Sequence, residues 1–195
     1  MKIAIIADIH DNFHNIILAL KDIEKRKINQ VIFLGDFING GIAKVLAESP
    51  IPIFAIWGNN DGDKTMITKT SLSEKSNLTV SENIYDFLEF DNRKIFITHY
   101  PDLAKPMAKT GIYDAVFYGH NHKKNEDKIG SCLVVNPGEI SAHKTGEATF
   151  AIYDTKKNDV DFIELKNFVT LKTKVVDEYM KTSTFKFSKS KRHQY

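Results

Sequence analysis

Residues 2–10 read KIAIIADIH, residues 30–36 QVIFLGD and residues 52–61 PIFAIWGNND. Each is a short apolar run that stops at an Asp, Asn or His, and in the last two a glycine stands beside the stop. Strands that are apolar at successive positions are buried on both faces, as in a parallel sheet covered by helices. Between the first two runs, residues 12–27 place Phe13, Ile16, Ile17, Leu20 and Ile23 on one helical stripe, with Lys21, Glu24 and Lys25 outside it. Residues 40–48 read as a short helix ending before Pro50. The opening is therefore β-α-β-α-β, which implies right-handed crossovers and a sheet with helices on its faces. The fold class is α/β.

Working outward, residues 63–75 read as helix or loop and residues 78–90 as one or two strands. KIFIT (94–98) and AVFY (115–118) are again short apolar runs, bracketing a helical turn near residues 103–109. From Lys128 onward the pattern is antiparallel, with runs at 131–135, 148–153 and 160–165. The last two are joined by Lys156-Lys157-Asn158-Asp159, a good hairpin turn. One domain is expected over residues 1–165, followed by a basic tail or extra packing segment over 166–195. Residues 171–195 hold seven Lys/Arg against two acids. Phe185, Lys186, Phe187, Lys189, Lys191 and Arg192 could grip nucleic acid by charge and stacking, although such an end is more often a solvated terminus. Nothing else in the chain indicates nucleic acid.

Composition narrows the class. The chain has 195 residues, 42% of them hydrophobic, enough for one domain with a sizeable core. Lys+Arg 27 against Asp+Glu 25 leaves a net charge of +2, too near neutral for a surface given over to polyanions. The single cysteine, Cys132, excludes an intramolecular disulfide framework and fits a reducing compartment; it sits in an apolar run as a small core residue. The N-terminal apolar run breaks at Asp8, too early for a signal peptide. No stretch approaches the roughly 18 apolar residues of a membrane span. A cytoplasmic protein is expected.

The chemistry lies where polar residues interrupt the strands. The five runs end in Asp8-Ile9-His10, Gly35-Asp36, Gly58-Asn59-Asn60-Asp61, His99 and Gly119-His120-Asn121-His122. Ligands of parallel α/β sheets bind outside the carboxyl ends of strands, so these residues are expected to converge on one edge. Asp8/His10 and His120/His122 are i, i+2 pairs, whose side chains point the same way in extended backbone. Taken singly, each residue has an ordinary explanation: Asp8 as a helix cap, His99 as a hydrogen-bonded core histidine, Asn59 as a turn residue. Five strand ends carrying ligand chemistry together have none. Four of the seven histidines belong to the set, and imidazole mixed with oxygen ligands favours Mn, Fe, Co, Ni or Zn over Mg or Ca. Seven ligands are too many for one ion with an open position, but divide well between two ions sharing a carboxylate.

These five ordered motifs resemble the signature of the calcineurin-like metallophosphoesterases: D-x-H, GD, GN[H/C/N]D, a lone His and G-H-x-H. The short length and Asn136-Pro137-Gly138 resemble the small prokaryotic phosphodiesterase subgroup. The resemblance implies a four-layer α/β/β/α sandwich and two divalent ions, manganese first, with Ni, Fe, Co or Zn as alternatives. It implies one ion held by Asp8, His10, Asp36 and His122, and the other by Asp36, Asn59, His99 and His120. A water bridging such ions, about 3.5–4 Å apart, is acidified and attacks phosphorus in line. Two divalent ions, two carboxylates and one hydroxide sum to about +1, which matches a small phosphodiester monoanion.

The sequence departs from the wider family in three places. Asn60 stands where many members place a histidine that assists the leaving group. An amide donates a hydrogen bond but delivers no proton, which typically costs 10²–10⁴-fold, so diesters with good leaving groups are expected. Asn60 and Asp61 are the candidate catalytic residues, Asp61 as an orienter rather than an acid. Asn39 replaces the Asp of GDxxD or the Tyr of purple acid phosphatases. Asn39-Gly40-Gly41 replaces the Asp-Arg-Gly of protein phosphatases and dinucleoside tetraphosphate hydrolases, which removes the phosphate-gripping arginine of both. His14 is expected on the surface, His143 in a loop that borders the site, and Trp57 and Phe54 in the core. The alternatives are a catalytically weak scaffold similar to the retromer subunit, which expects lost ligands where none is lost, and a nuclease or cyclic-nucleotide phosphodiesterase with the same metals. Relatives form dimers or tetramers, so the resemblance also allows a homo-oligomer.

Overall fold

The computed structural model describes residues 1–170. The basic segment 171–195, with Phe185, Lys186, Phe187, Lys189, Lys191 and Arg192, lies outside the described residues. β1 (Lys2–Ile6), α1 (Phe13–Lys25), β2 (Val31–Phe33), α2 (Gly40–Ala47) and β3 (Ile53–Ala55) form the expected opening, with the three strands parallel. α3 (Lys64–Ser71) leads to β4 (Leu78–Val80), added in parallel beyond β3. The chain then crosses to a second sheet. β5 (Tyr85–Phe90) and β6 (Arg93–Thr98) are an antiparallel pair, and α4 (Pro101–Lys109) carries the chain to β7 (Ala115–Phe117), parallel to β6. β8 (Asn125–Ile129) and β9 (Cys132–Asn136) complete that sheet. β10 (Thr149–Asp154) and β11 (Asp159–Glu164) return to the first, β10 antiparallel to β1. The strand orders are β11-β10-β1-β2-β3-β4 and β5-β6-β7-β9-β8.

Three apolar interiors result. Ile3, Ile5, Ile32 and Ile56 of the first sheet meet Ile95, Ile97, Phe117 and Val135 of the second, and Phe117 and Tyr153 meet edge to face at 5.1 Å. On the outer side of the first sheet, Ala4, Ile6, Val31 and Phe33 pack under Ile16, Leu46 and Ile67 of the three helices. On the outer side of the second, Phe96, Val116, Cys132 and Val134 pack under Ala104 and Ala108 of α4. The layers are helix, sheet, sheet, helix, as the resemblance implied. Each fully buried isoleucine contributes about 1.5–3 kcal/mol.

Several local expectations shift. Residues 78–90 split between two sheets, because the turn at Ser81–Asn83, closed by the Asn83 N–H on Ser81 Oγ at 3.1 Å, lets the chain cross. β9 pairs antiparallel with β8 but parallel with β7, so the antiparallel reading of residues 131–135 is only half correct. β8 escapes a hydrophobicity reading because it is an edge strand whose polar residues face solvent. The β10–β11 turn closes one residue earlier, with Asp154 opposite Asp159. On α1 the buried stripe is Asn15, Ile16, Ala19, Leu20 and Ile23; Phe13 and Ile17 stand on its flank, exposed at 42% and 40%. Asn15 is satisfied there, accepting from the Val169 N–H at 2.8 Å and donating to the Ile140 and Val169 carbonyls. Trp57 and Cys132 are buried as expected, Phe54 partly so, and burial pushes the Cys132 thiol up to about 11. Among the described residues no helix is long and apolar enough to cross a membrane.

Candidate metal centre

Stacking the sheets brings five strand ends together, three from the first sheet and two from the second. The strand ends converge on one edge, as expected, and that edge is shared between the two sheets of the sandwich. Turns beyond the strands lock to one another: the Asp8 N–H donates to the Gly35 carbonyl at 3.2 Å, His10 N–H to Asp36 at 3.2 Å, and Gly119 N–H to His99 at 3.1 Å. Gly35, at φ +97, and Gly58 lie so close that a Cβ on Gly35 would stand 2.5 Å from the Gly58 nitrogen.

Asp8, His10, Asp36, His120 and His122 all have positive φ, between 44° and 73°. The i, i+2 pairs are thus not extended, contrary to expectation. They are delivered by left-handed turns, which Asp and His tolerate better than most residues. Such conformations cost of order 1–3 kcal/mol each and persist only where the surroundings impose them.

All seven expected ligands are brought together. His10 Nε2 lies 3.2 Å from Asp36 Oδ2 and 3.7 Å from Asp8 Oδ1, and His122 Nε2 lies 3.5 Å from Asp8 Oδ1. The His10 and His122 rings stack at 4.8 Å. Alongside, His99 Nε2 lies 3.6 Å from Asp36 Oδ2 and 3.0 Å from Asn59 Oδ1, which is also 2.8 Å from His120 Nδ1. Ligand atoms of Asp8, His10 and His122, and of Asp8, Asp36 and His99, form two groups within 4.8 Å. Asp36 stands between the two sides.

The polar inventory does not close without a cation. Asp8 Oδ1, His10 Nε2 and His122 Nε2 are buried and hydrogen-bonded to nothing, an arrangement costing about 1–3 kcal/mol per atom. His99 donates Nδ1–H to the Leu34 carbonyl at 2.7 Å, so Nε2 is left facing the site. Burial pulls the His10 imidazolium down, but Asp36 and Asp8 outweigh it and hold its pKa at about 9. Burial raises Asp36, yet His10, His99 and Asn60 bring it well below the usual carboxylate range. Burial and neighbouring His99 lower His120. A proton on His10 thus stands where the site demands positive charge, and the donor set fits divalent metal.

Residues 1–158 match the calcineurin-like phosphoesterase superfamily domain. The chain belongs to this superfamily. Phosphodiesterase MJ0936 of Methanocaldococcus jannaschii is 35% identical over 171 residues, covering 85% of this chain and all of that protein. A solved archaeal phosphodiesterase superposes with a TM-score of 0.77 at 33% identity, over 85% of this chain and 100% of its own. At 18% identity, the E. coli phosphoesterase YfcE shares the fold with a TM-score of 0.64, over 85% of this chain and 100% of its own. Vps29 of Chaetomium thermophilum shares it at 16% identity with a TM-score of 0.59, over 84% and 96% of the two chains.

Around the seven candidate ligands, the two candidate catalytic residues have different partners. Asn60 turns inward, its backbone N–H on Asp36 Oδ1 at 2.9 Å and its amide on Asp36 Oδ2 at 2.8 Å. Asp61 is buried and ties three backbone N–H groups together: Gly58 at 2.7 Å, Ile38 at 3.1 Å and Asp36 at 3.3 Å. It fastens the ends of β2 and β3. Asn39 caps α2 and donates to Asp11 Oδ1 at 2.5 Å. His14 is on the surface and donates to the Asn167 carbonyl at 3.0 Å.

Glu139 is the residue that sequence reasoning missed. It follows the quoted Asn136-Pro137-Gly138, is fully buried, and contacts His122 Nδ1 at 2.8 Å. Burial raises its pKa, but His122, Ser141 and Thr145 bring it well below the usual range. The one available signal was a lone glutamate beside a Pro-Gly turn, which without the fold is indistinguishable from a solvated one. His143 borders the site as expected, donating Nε2–H to the His10 carbonyl at 3.2 Å. Tyr100, also unremarked in the sequence, lays its ring 5.2 Å from His99 and 5.4 Å from His120.

Proposed function

We propose that the chain is a dinuclear-metal phosphodiesterase acting on a small phosphodiester. The convergence of buried, unpartnered Asp8 Oδ1, His10 Nε2 and His122 Nε2 carries the reading, and the name of the M. jannaschii relative supports the diester. Asp8, His10, Asp36 and His122 would hold one ion, and Asp36, Asn59, His99 and His120 the other. When bound, such ions acidify water and stabilise charge on phosphoryl oxygens. Manganese suits the imidazole and oxygen donors, with Ni, Fe, Co and Zn the other candidates.

The chain's own residues then divide the work. Asp36 lies between the two groups and is kept anionic by His10, His99 and both Asn60 donors. His99 is held with Nε2 inward by the Leu34 carbonyl. Asn59 and Asn60 are the exposed members of the site, so substrate approaches from their side. Asn60 spends its amide on Asp36 and carries no transferable proton, so the leaving oxygen departs without a general acid from that position. Diesters with good leaving groups are favoured accordingly. Asp61 holds the Asn59-Asn60 turn in place rather than exchanging protons.

The test is hydrolysis of bis-p-nitrophenyl phosphate and of the monoester by metal-stripped protein resupplied separately with Mn²⁺, Ni²⁺, Zn²⁺ and Mg²⁺. Metal-dependent cleavage with diester exceeding monoester is expected. Tight metal binding without turnover of either would instead favour a scaffold role.

A further inference from the structure

Glu139 lies outside the ligand set, yet it is the most heavily hydrogen-bonded carboxylate at the site. Oε1 accepts from the Lys144 N–H at 3.0 Å, the Thr145 N–H at 2.7 Å and Thr145 Oγ1 at 2.8 Å. Oε2 accepts from the His143 N–H at 3.1 Å and from Ser141 Oγ. Five donors from one short loop surround a group with 0% exposure. Both oxygens are thereby committed as acceptors, since a proton on either would face a donor.

The sixth contact is His122 Nδ1, 2.8 Å from Oε2. Against an oxygen that only accepts, Nδ1 must carry the hydrogen. Nε2 then points the other way, buried, without a hydrogen-bond partner and 3.5 Å from the equally unpartnered Asp8 Oδ1. His99 reaches the same state through a backbone carbonyl. Only His122 has a carboxylate behind it, and a carboxylate raises the basicity of the imidazole as a ligand.

We infer that Glu139 is the positioning residue of the metal centre: it fixes the His122 tautomer so that Nε2 is offered to the ion, and it ties that histidine to the 141–145 loop. The inference rests on the metal-centre reading of the site. The loop is coupled to the same centre from its other end, since His143 touches the His10 carbonyl. One buried anion thus sets two sides of the group formed by Asp8, His10 and His122.

The experiment has one readout that needs no metal. In the ¹⁵N-labelled, metal-stripped full chain, the ring nitrogens of His122 report the tautomer directly. Hydrogen on Nδ1 is expected in the wild type, and a mixed or Nε2–H population in Glu139→Gln, whose amide cannot accept on both sides. Mn²⁺ titration by calorimetry should show a 10–100-fold weaker Kd for the variant, the usual penalty for losing such a partner. A wild-type Nε2–H tautomer overturns the inference even if the variant fails to fold. So does a folded Glu139→Gln chain that keeps Nδ1–H and binds Mn²⁺ within threefold of the wild type. A wild-type chain with Nδ1–H that takes up no metal overturns the metal-centre reading and, with it, this role.

Discussion

At the amino-terminal end of the stacked sheets, two ion pairs join neighbouring segments. The Met1 ammonium contacts Asp91 and Thr155 Oγ1. Arg93 donates to Asp114 Oδ1 at 2.8 Å and to the Thr155 carbonyl at 2.9 Å, and Asp114 Oδ2 accepts from the Lys94 N–H at 2.9 Å. At the carboxyl-terminal end the polar groups are more deeply buried, and four buried atoms, on Asp8, His10, His122 and His143, have no hydrogen-bond partner. Left-handed backbone at five expected ligands adds strain there. Left-handed residues also occur at the opposite end, at Asp91, Asn92 and Asn158, so the difference lies in the buried atoms left without hydrogen bonds, which mark the carboxyl-terminal end as the one that takes a ligand.

The contrast breaks most sharply at Asp36. Asp36→Ala should abolish diester hydrolysis and tight binding of both ions, because its carboxylate stands between His10 and His99; steady-state assays and calorimetry on the stripped protein check both. Asn60→His comes next. It restores a group able to deliver a proton, and turnover of diesters with poor leaving groups should rise about 10²-fold, the lower end of general-acid effects. Unchanged rates across a leaving-group series would sink the account of Asn60.

Stability offers a milder test of the same end. Mn²⁺ at about 100 times its Kd should add about 2.7 kcal/mol, or roughly 5–10 °C in Tm for a chain of this size. Scanning calorimetry with Mn²⁺ and with chelator reads it directly; equal Tm values would mean that the orphaned atoms need no ion. The opposite end should respond least. Arg93→Ala is expected to cost about 1 kcal/mol or less, since the pair with Asp114 is partly exposed. Burial raises Asp114, but Lys94, Arg93 and their charges bring its pKa below the ordinary value. A depressed carboxylate stabilises above its unfolded pKa of about 4 and loses that contribution as pH falls through the folded value. Denaturant curves for wild type and variant should therefore differ at neutral pH and converge in acid, while Mn²⁺ affinity at neutral pH stays unchanged.

The legible part of this molecule was local. Apolar runs of three to six residues marked β1, β2, β3, β6 and β7, and the Asp, Asn, His and Gly that end them marked the candidate ligands. β8 was hidden because an edge strand keeps polar residues on its faces. The burial of Asn15 in place of Phe13 and Ile17 on α1 was hidden for a related reason. A helical stripe is read by hydrophobicity, whereas Asn15 is held inside by hydrogen bonds to Ile140 and Val169, more than 120 residues away.

By itself, the sequence determined which residues could bind metal and that they sit at strand ends, because apolar runs and the residues that stop them are written in consecutive positions. Tertiary structure alone decided how the strand ends of the two sheets meet at that edge, since that depends on Ile5 and Ile32 packing against Ile97 and Val135. It also decided the left-handed turns that aim the ligands, the inward set of Asn60, and the meeting of His122 with Glu139. The physical reason is range: strand and turn preferences act over a few neighbours, while a buried hydrogen bond is defined only once distant segments have excluded water between them.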